Sequence, residues 1–128
     1  MIFNIFRSKN AILNYHRIIP DKDFLSQNDE LAVSVSKFEE QLNFLKENYN
    51  FVSLENLLNF KQNTNKNISI TFDDGYKDNL IHAMPILNKL NIPATIYITT
   101  KIFNNEFDLW WYELHEHIYK QSNKIQFQ

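Results

Sequence analysis

Ile68-Ser69-Ile70-Thr71-Phe72-Asp73-Asp74-Gly75-Tyr76 is the stretch on which the fold of this chain turns. Its first five residues are β-branched or aromatic except for Ser69, and Asn67 and Asp73 bound them, which predicts a strand over 68–72. Asp73-Asp74-Gly75 predicts a turn at the strand's C-terminal end. Residues 76–91 then read as a helix with Leu80, Ala83, Leu87 and Leu90 on one face. Pro85 lies inside that span, so the helix kinks there or restarts with Pro85 at its first position. Pro93 ends the connection, and Ala-Thr-Ile-Tyr-Ile-Thr-Thr over 94–100 reads as a second strand. This is one βαβ unit, for which two parallel strands and a right-handed crossover are expected.

Upstream, residues 11–16 (Ala-Ile-Leu-Asn-Tyr-His) predict a buried strand. Residues 19–30 are polar and read as a loop, and 31–35 as extended chain. Ser36-Lys-Phe-Glu39 fits a capping box, with Ser36 at the N-cap and Glu39 reaching back. The helix after it carries Phe38, Leu42, Leu45 and Tyr49 as one apolar stripe. Phe51 and Val52 form a short extended piece. Residues 54–60 form a second helix with Leu54, Leu57 and Leu58 inward, followed by a polar connection over 61–67. Downstream, 108–120 reads as a last helix and 124–128 as the beginning of a strand.

The chain has 128 residues, about one domain, whereas a complete (β/α) barrel typically takes about 250. Hydrophobic residues make up 44% and charged residues 22%, too apolar a balance for disorder. The net charge of −2 excludes a nucleic-acid surface built on bulk positive charge. The absence of cysteine excludes disulfides, thiolate zinc sites and thiol nucleophiles. No run of eighteen apolar residues occurs, so no membrane span is expected. The first nine residues place their charge after a short apolar patch, the reverse of a secretory signal, which makes a cytoplasmic location the default expectation. Only one glycine is present, Gly75, so the backbone is expected to need it where it stands.

Two adjacent carboxylates at the C-terminal end of a parallel strand stand where α/β folds build their sites. Like charges so close disfavour each other unless a cation lies between them. A divalent metal meets that need. One carboxylate then binds the ion, and the other takes a proton from water. The same triplet also fits a plain turn that ends the strand and caps the next helix.

Ile70-Thr-Phe-Asp-Asp-Gly-Tyr76 resembles the first motif of the polysaccharide deacetylases, the NodB-homology domains of carbohydrate esterase family four. Leu13-Asn-Tyr-His-Arg-Ile18 resembles the Tyr-His strand that opens one branch of the family. Val35-Ser-Lys-Phe-Glu-Glu-Gln-Leu42, with Leu45, Tyr49 and Val52-Ser-Leu54, resembles the helix and strand that follow. Pro85-Ile-Leu87 and Ile92-Pro-Ala-Thr95 resemble the next helix and strand, and Trp110-Trp111 with Leu114 an insertion of that branch. The resemblance runs in order over nearly all of residues 1–128.

It implies an α/β fold, the N-terminal part of a distorted (β/α) barrel, and removal of N-acetyl groups from an amino-sugar polysaccharide. It implies a divalent metal, usually zinc, held by one Asp and two His. Asp73 matches the general base, Asp74 the metal-binding carboxylate, and His16 a substrate-side histidine near the pocket mouth. The implied partner is an N-acetylated saccharide, and relatives often act at the cell envelope or outside the cell.

The second motif, His-Ser/Thr-x-x-His, does not occur, nor do the later Arg, the aromatic groove motifs and the late His that acts as general acid. The expectation is a partial domain ending before the second metal-binding motif, inactive or weakly metal-binding alone. It would be completed by a downstream fragment or would self-associate. The rival expectation is a non-catalytic remnant or interaction module with a half-barrel fold. His115 and His117 lie two apart on a predicted helix and point to different sides, so they do not replace the absent pair. His82 follows the motif near the apolar stripe and reads as structural. Trp110 and Trp111 suit either stacking on a sugar or anchoring of the last helix.

Overall fold

The computed structural model describes residues 10–22, 31–59, 66–101 and 114. The chain divides into two compact units, 1–98 and 99–128. In the second unit the described residues are 99–101, which end in a short helical turn, and Leu114, which is helical and exposed. The predicted helix over 108–120, the strand start at 124–128, the first nine residues, Trp110, Trp111, His115 and His117 all lie outside the described residues.

The first unit is α/β, as expected, with parallel strands. Its elements are β1 (Asn10–Tyr15), β2 (Arg17–Ile19), β3 (Ala32–Ser34), α1 (Val35–Lys46), β4 (Asn50–Phe51), α2 (Leu54–Asn59), β5 (Asn67–Phe72), α3 (Met84–Leu90) and β6 (Ala94–Ile96). A π-helical turn, Asn79–Ala83, leads into α3. β5 is the central strand, and all six of its residues are buried, as a parallel strand covered on both faces requires. β1 pairs with it in parallel along its whole length, from Asn10↔Asn67 to Tyr15↔Phe72. The opposite edge of β5 takes two short parallel partners, β4 at Asn67 and Ile68 and β6 at Ile70 to Phe72. β2 and β3 form a separate parallel pair.

Alternation along β5 sends Ile68, Ile70 and Phe72 to one face. There they join Ile18, Phe38, Leu42, Ala83, Ile86, Leu87 and Ile92 in a single core. Tyr15, Phe38 and Phe72 form an aromatic cluster, with centroids 5.0 Å apart for Tyr15–Phe38 and 6.0 Å for Phe38–Phe72. The Tyr15 hydroxyl donates to Gln41 Oε1 at 2.9 Å. Burial of that hydroxyl pushes its pKa up to about 12.

Several local expectations are corrected. α1 begins two residues earlier than the capping box implies. Ser34 is the N-cap, its side chain accepting from the Lys37 amide. Ser36 is held instead by Asp21, which accepts from its amide at 3.1 Å and also from its hydroxyl. These bonds hold the Asp21 carboxyl below the usual carboxylate range. Glu39 accepts from Lys89 at 2.8 Å and does not reach back to the cap. Leu58 is 73% exposed, and α2 buries only Leu57.

The helix after the Asp-Asp-Gly turn is not one regular stripe. The π-helical turn inserts an extra residue ahead of Pro85, which stands in the first turn of α3 as expected. The wider turn rotates Leu80 outward, to 59% exposure, while Ala83, Ile86 and Leu87 carry the buried face. The second strand of the βαβ unit is confined to Ala94–Ile96 and does not run to residue 100. Tyr97 still donates its amide to Phe72 O at 2.8 Å.

Candidate active site

The site lies where β1 and β5 end side by side. The pairing of Tyr15 with Phe72 brings the next residues, His16 and Asp73, together at the C-terminal edge of the sheet. The Asp73 amide donates to Tyr15 O at 2.9 Å, which continues the ladder one residue past the strand. Alternation then sets the chemistry. The face of β5 opposite the core carries Asn67, Ser69, Thr71 and Asp73, and the matching face of β1 carries Asn10, Ile12, Asn14 and His16. The buried polar groups on this face are satisfied, as burial demands. Asn67 Nδ2 donates to Asn10 Oδ1 at 3.2 Å, Ser69 Oγ to Val52 O at 2.8 Å, and Thr71 Oγ1 to Asn14 Oδ1 at 2.9 Å.

Asp73 receives the last link of this face. Asn14 Nδ2 donates to Asp73 Oδ2 at 2.7 Å. His16 Nε2 stands 3.8 Å from the same oxygen, outside hydrogen-bond range but close enough for an ion pair when the imidazole is protonated. The two side chains keep 28% and 38% of their surface in solvent, so the carboxylate is reachable from outside.

Asp74 and Gly75 follow with φ of +68° and +67°. Two consecutive left-handed residues reverse the chain immediately after the strand. Gly75 adopts this conformation freely, and Asp is among the side chains that tolerate it. A Cβ at Gly75 would also stand 3.3 Å from Ile98 Cγ1, a tight contact to which the Ile98 side chain would have to yield. The expectation that the backbone needs its one glycine at this turn is met by its positive φ.

Behind the turn, Arg17 Nε donates to Asp78 Oδ2 at 2.7 Å, with both side chains largely buried. The Ile18 amide reaches Asp78 Oδ1 at 3.4 Å, and the Arg17 guanidinium lies 5.2 Å from the Tyr76 ring centre. These contacts tie β2 to the start of the helical segment and fix both flanks of His16 and Asp73. Next to Asp78, Asn79 is 2% exposed, and among the described residues neither its side-chain oxygen nor its side-chain nitrogen has a hydrogen-bond partner.

The structure therefore brings two of the three expected residues, Asp73 and His16, within 3.8 Å and places Asp74, half-buried, on the turn beside them. The metal centre that the resemblance implies is a different matter. Among the described residues no group of three or more His, Cys, Asp or Glu side chains could hold a metal ion. A zinc site takes three or four ligands, so the described residues do not by themselves fit one. His82 is half-buried on the π-helical turn.

The sequence alone does not single out Asn14, Thr71, Arg17 or Asp78. A signal for the first two is present in it. Asn10, Asn14 and His16 on one strand, and Asn67, Ser69, Thr71 and Asp73 on the other, repeat with the period of two that marks one face of a strand.

A family model for polysaccharide deacetylases matches residues 60–126. The poly-β-1,6-N-acetyl-D-glucosamine N-deacetylase of Staphylococcus epidermidis is 28% identical over an alignment covering 90% of this chain and 52% of that protein. The enzyme of the same name from Staphylococcus aureus is 33% identical over 74% of this chain and 38% of that protein. The solved structure of a Streptococcus pyogenes deacetylase in complex with acetate superposes with a TM-score of 0.59 at 34% identity, covering 70% of this chain and 42% of that one. The chain thus spans between about a third and a half of the length of the curated relatives it matches. With the family model covering more than half of these residues, and the parallel strands carrying the Asp-Asp-Gly turn at their C-terminal edge, the chain belongs to the polysaccharide deacetylase family.

Proposed function

We propose that these residues supply the base-bearing part of a metal-dependent N-deacetylase acting on an N-acetylated amino-sugar polysaccharide. The observation that carries the reading is the position of Asp73 at the strand end. It is half-exposed, pinned through its own amide, and held through one carboxylate oxygen. Such a carboxylate is suited to take a proton from a water molecule as the water oxygen adds to the acetyl carbonyl carbon. Collapse of the tetrahedral intermediate breaks the carbon–nitrogen bond and releases acetate and the free amine, which leaves with a proton. His16, beside Asp73, is assigned to the substrate side of the site.

Asp74 is assigned as the metal-binding carboxylate. The further ligands and the group that protonates the amine are assigned to residues outside those described. A complementary polypeptide is the proposed source if residues 1–128 act without further sequence. A second reading, a non-catalytic interaction module, is favoured by one observation: no metal-holding trio exists among the described residues.

The test is acetate release from β-1,6-linked N-acetylglucosamine oligomers. It is measured for this chain alone and for a chimera in which its residues 10–101 replace the matching part of the Staphylococcus aureus relative. The chain alone is expected to be inactive, and the chimera active and silenced by Asp73→Asn. A folded chimera that is inactive, or one that keeps its activity with Asp73→Asn, overturns the catalytic reading and leaves the interaction module.

A further inference from the structure

We propose that Asn14 is a positioning residue for Asp73, set in its orientation by Thr71, and that it reserves Asp73 Oδ1 as the proton-accepting atom. The inference rests on the reading of Asp73 as the base and adds how that base is held.

The chain of bonds has a direction. The Thr71 hydroxyl is buried, and the two atoms within its reach, Leu13 O at 3.4 Å and Asn14 Oδ1 at 2.9 Å, are both acceptors. Thr71 is therefore the donor. Together with the acceptor-only Asp73 carboxylate on the other side, this donor fixes which end of the Asn14 amide faces inward. The outward end is Nδ2, which has only hydrogens to give, and it meets Asp73 Oδ2 at 2.7 Å. A flipped amide would set its one oxygen against the carboxylate and its NH2 against the Thr71 hydroxyl, leaving Asp73 without this donor. A bond from a neutral amide to a carboxylate is charge-assisted, roughly twice as strong as a neutral pair.

The consequence falls on the other oxygen. Oδ2 is occupied by Asn14 and flanked by His16, whereas Oδ1 has no hydrogen bond among the described residues. In the proposed step a water O–H bond breaks, an Oδ1–H bond forms, and the water oxygen keeps the electron pair with which it attacks. Asn14 keeps its bond to Oδ2 before and after the transfer, so the carboxylate does not turn when its charge changes. The fixed frame needs no reorganisation at the moment of reaction, which is the contribution of a preorganised dipole.

The test reads the contact directly in the 128-residue chain by nuclear magnetic resonance. With 15N labelling, the Asn14 side-chain amide protons are compared between wild type and Asp73→Asn at one pH. They are expected to shift on that substitution, which replaces the charged acceptor of their hydrogen bond. Thr71→Val, which removes the hydroxyl at nearly constant volume, should weaken the response, and Thr71→Ser should restore it. Thr71→Ser also serves if Thr71→Val does not fold. A merely structural Asn14 would ignore Asp73→Asn, and Asn14 resonances unchanged by that substitution overturn the proposal. Equal responses in wild type and Thr71→Val overturn the role of Thr71. Acetate release plays no part in this readout, so its failure and the failure of the catalytic reading are separate results.

Discussion

Replacing Gly75 by Ala tests the turn that carries the carboxylate pair. Gly75 sits at φ +67°, where a side chain costs about 1–2 kcal/mol in the left-handed region. The new Cβ would also stand 3.3 Å from Ile98 Cγ1. Ile98 is 55% exposed and can move aside, so this contact adds no more than about 0.5 kcal/mol of rotamer strain. Ala narrows the unfolded ensemble, which returns about 0.4–1 kcal/mol. The net loss is about 1 kcal/mol. In urea, with a slope of about 1–3 kcal/mol/M, the midpoint should fall by roughly 0.3–1 M. Gly75→Asn separates the two causes. It keeps the contact with Ile98 but tolerates the left-handed backbone better, so it should lose about half as much. A Gly75→Ala chain as stable as wild type would show that the turn does not hold its positive φ, and the account of the site built on it would fail.

Three further outcomes are expected. Burial raises the Tyr15 hydroxyl from 10.0 to about 12, so the unfolded tyrosine ionises first as pH rises. Stability from this group is full below about pH 10 and is lost as pH climbs through about 12, and Tyr15→Phe should flatten that limb of a denaturation-versus-pH curve. The same variant loses the bond to Gln41, about 1 kcal/mol at neutral pH by urea unfolding. Asp78→Ala takes the carboxylate away from Arg17 and an acceptor away from the Ile18 amide, and should cost about 2–3 kcal/mol, with Asp78→Asn losing less. Calorimetry with zinc should find no site in the 128-residue chain tighter than about micromolar, since three or four ligands are needed. A submicromolar site that vanishes in Asp74→Ala would refute this.

The sequence shows the frame of the site well and its wiring poorly. β5 and its turn are legible because β-branched residues, two carboxylates and the single glycine stand in sequence order, with no distant contact needed to interpret them. β1 is legible for the same reason. What escapes is whatever depends on pairing between strands. Nothing local to Asn14 says that it will stand beside Thr71, 57 residues away. The register decides that. Pro85 announces an irregular helix, but the π-helical turn before it, with Leu80 outward, depends on the burial of Asn79 and Ala83. Likewise Ser36 looks like a cap until Asp21, 15 residues earlier, folds back onto it. The strand over 94–100 is overextended because its apolar alternation continues past the point where β5 ends and offers no further partner.

The in-register pairing of β1 and β5 also acts as a proofreader for the chemistry. Ile68, Ile70 and Phe72 never reach the open end of the site, yet they decide which way Asp73 points. A slip of one residue would turn every side chain of β5 over, setting Phe72 among the polar partners of the other face and driving the Asp73 carboxylate into the aromatic cluster. The core rejects that arrangement, so a misplaced carboxylate is removed during folding. Substitutions that soften the apolar face should therefore blur the carboxylate's aim before they unfold the chain.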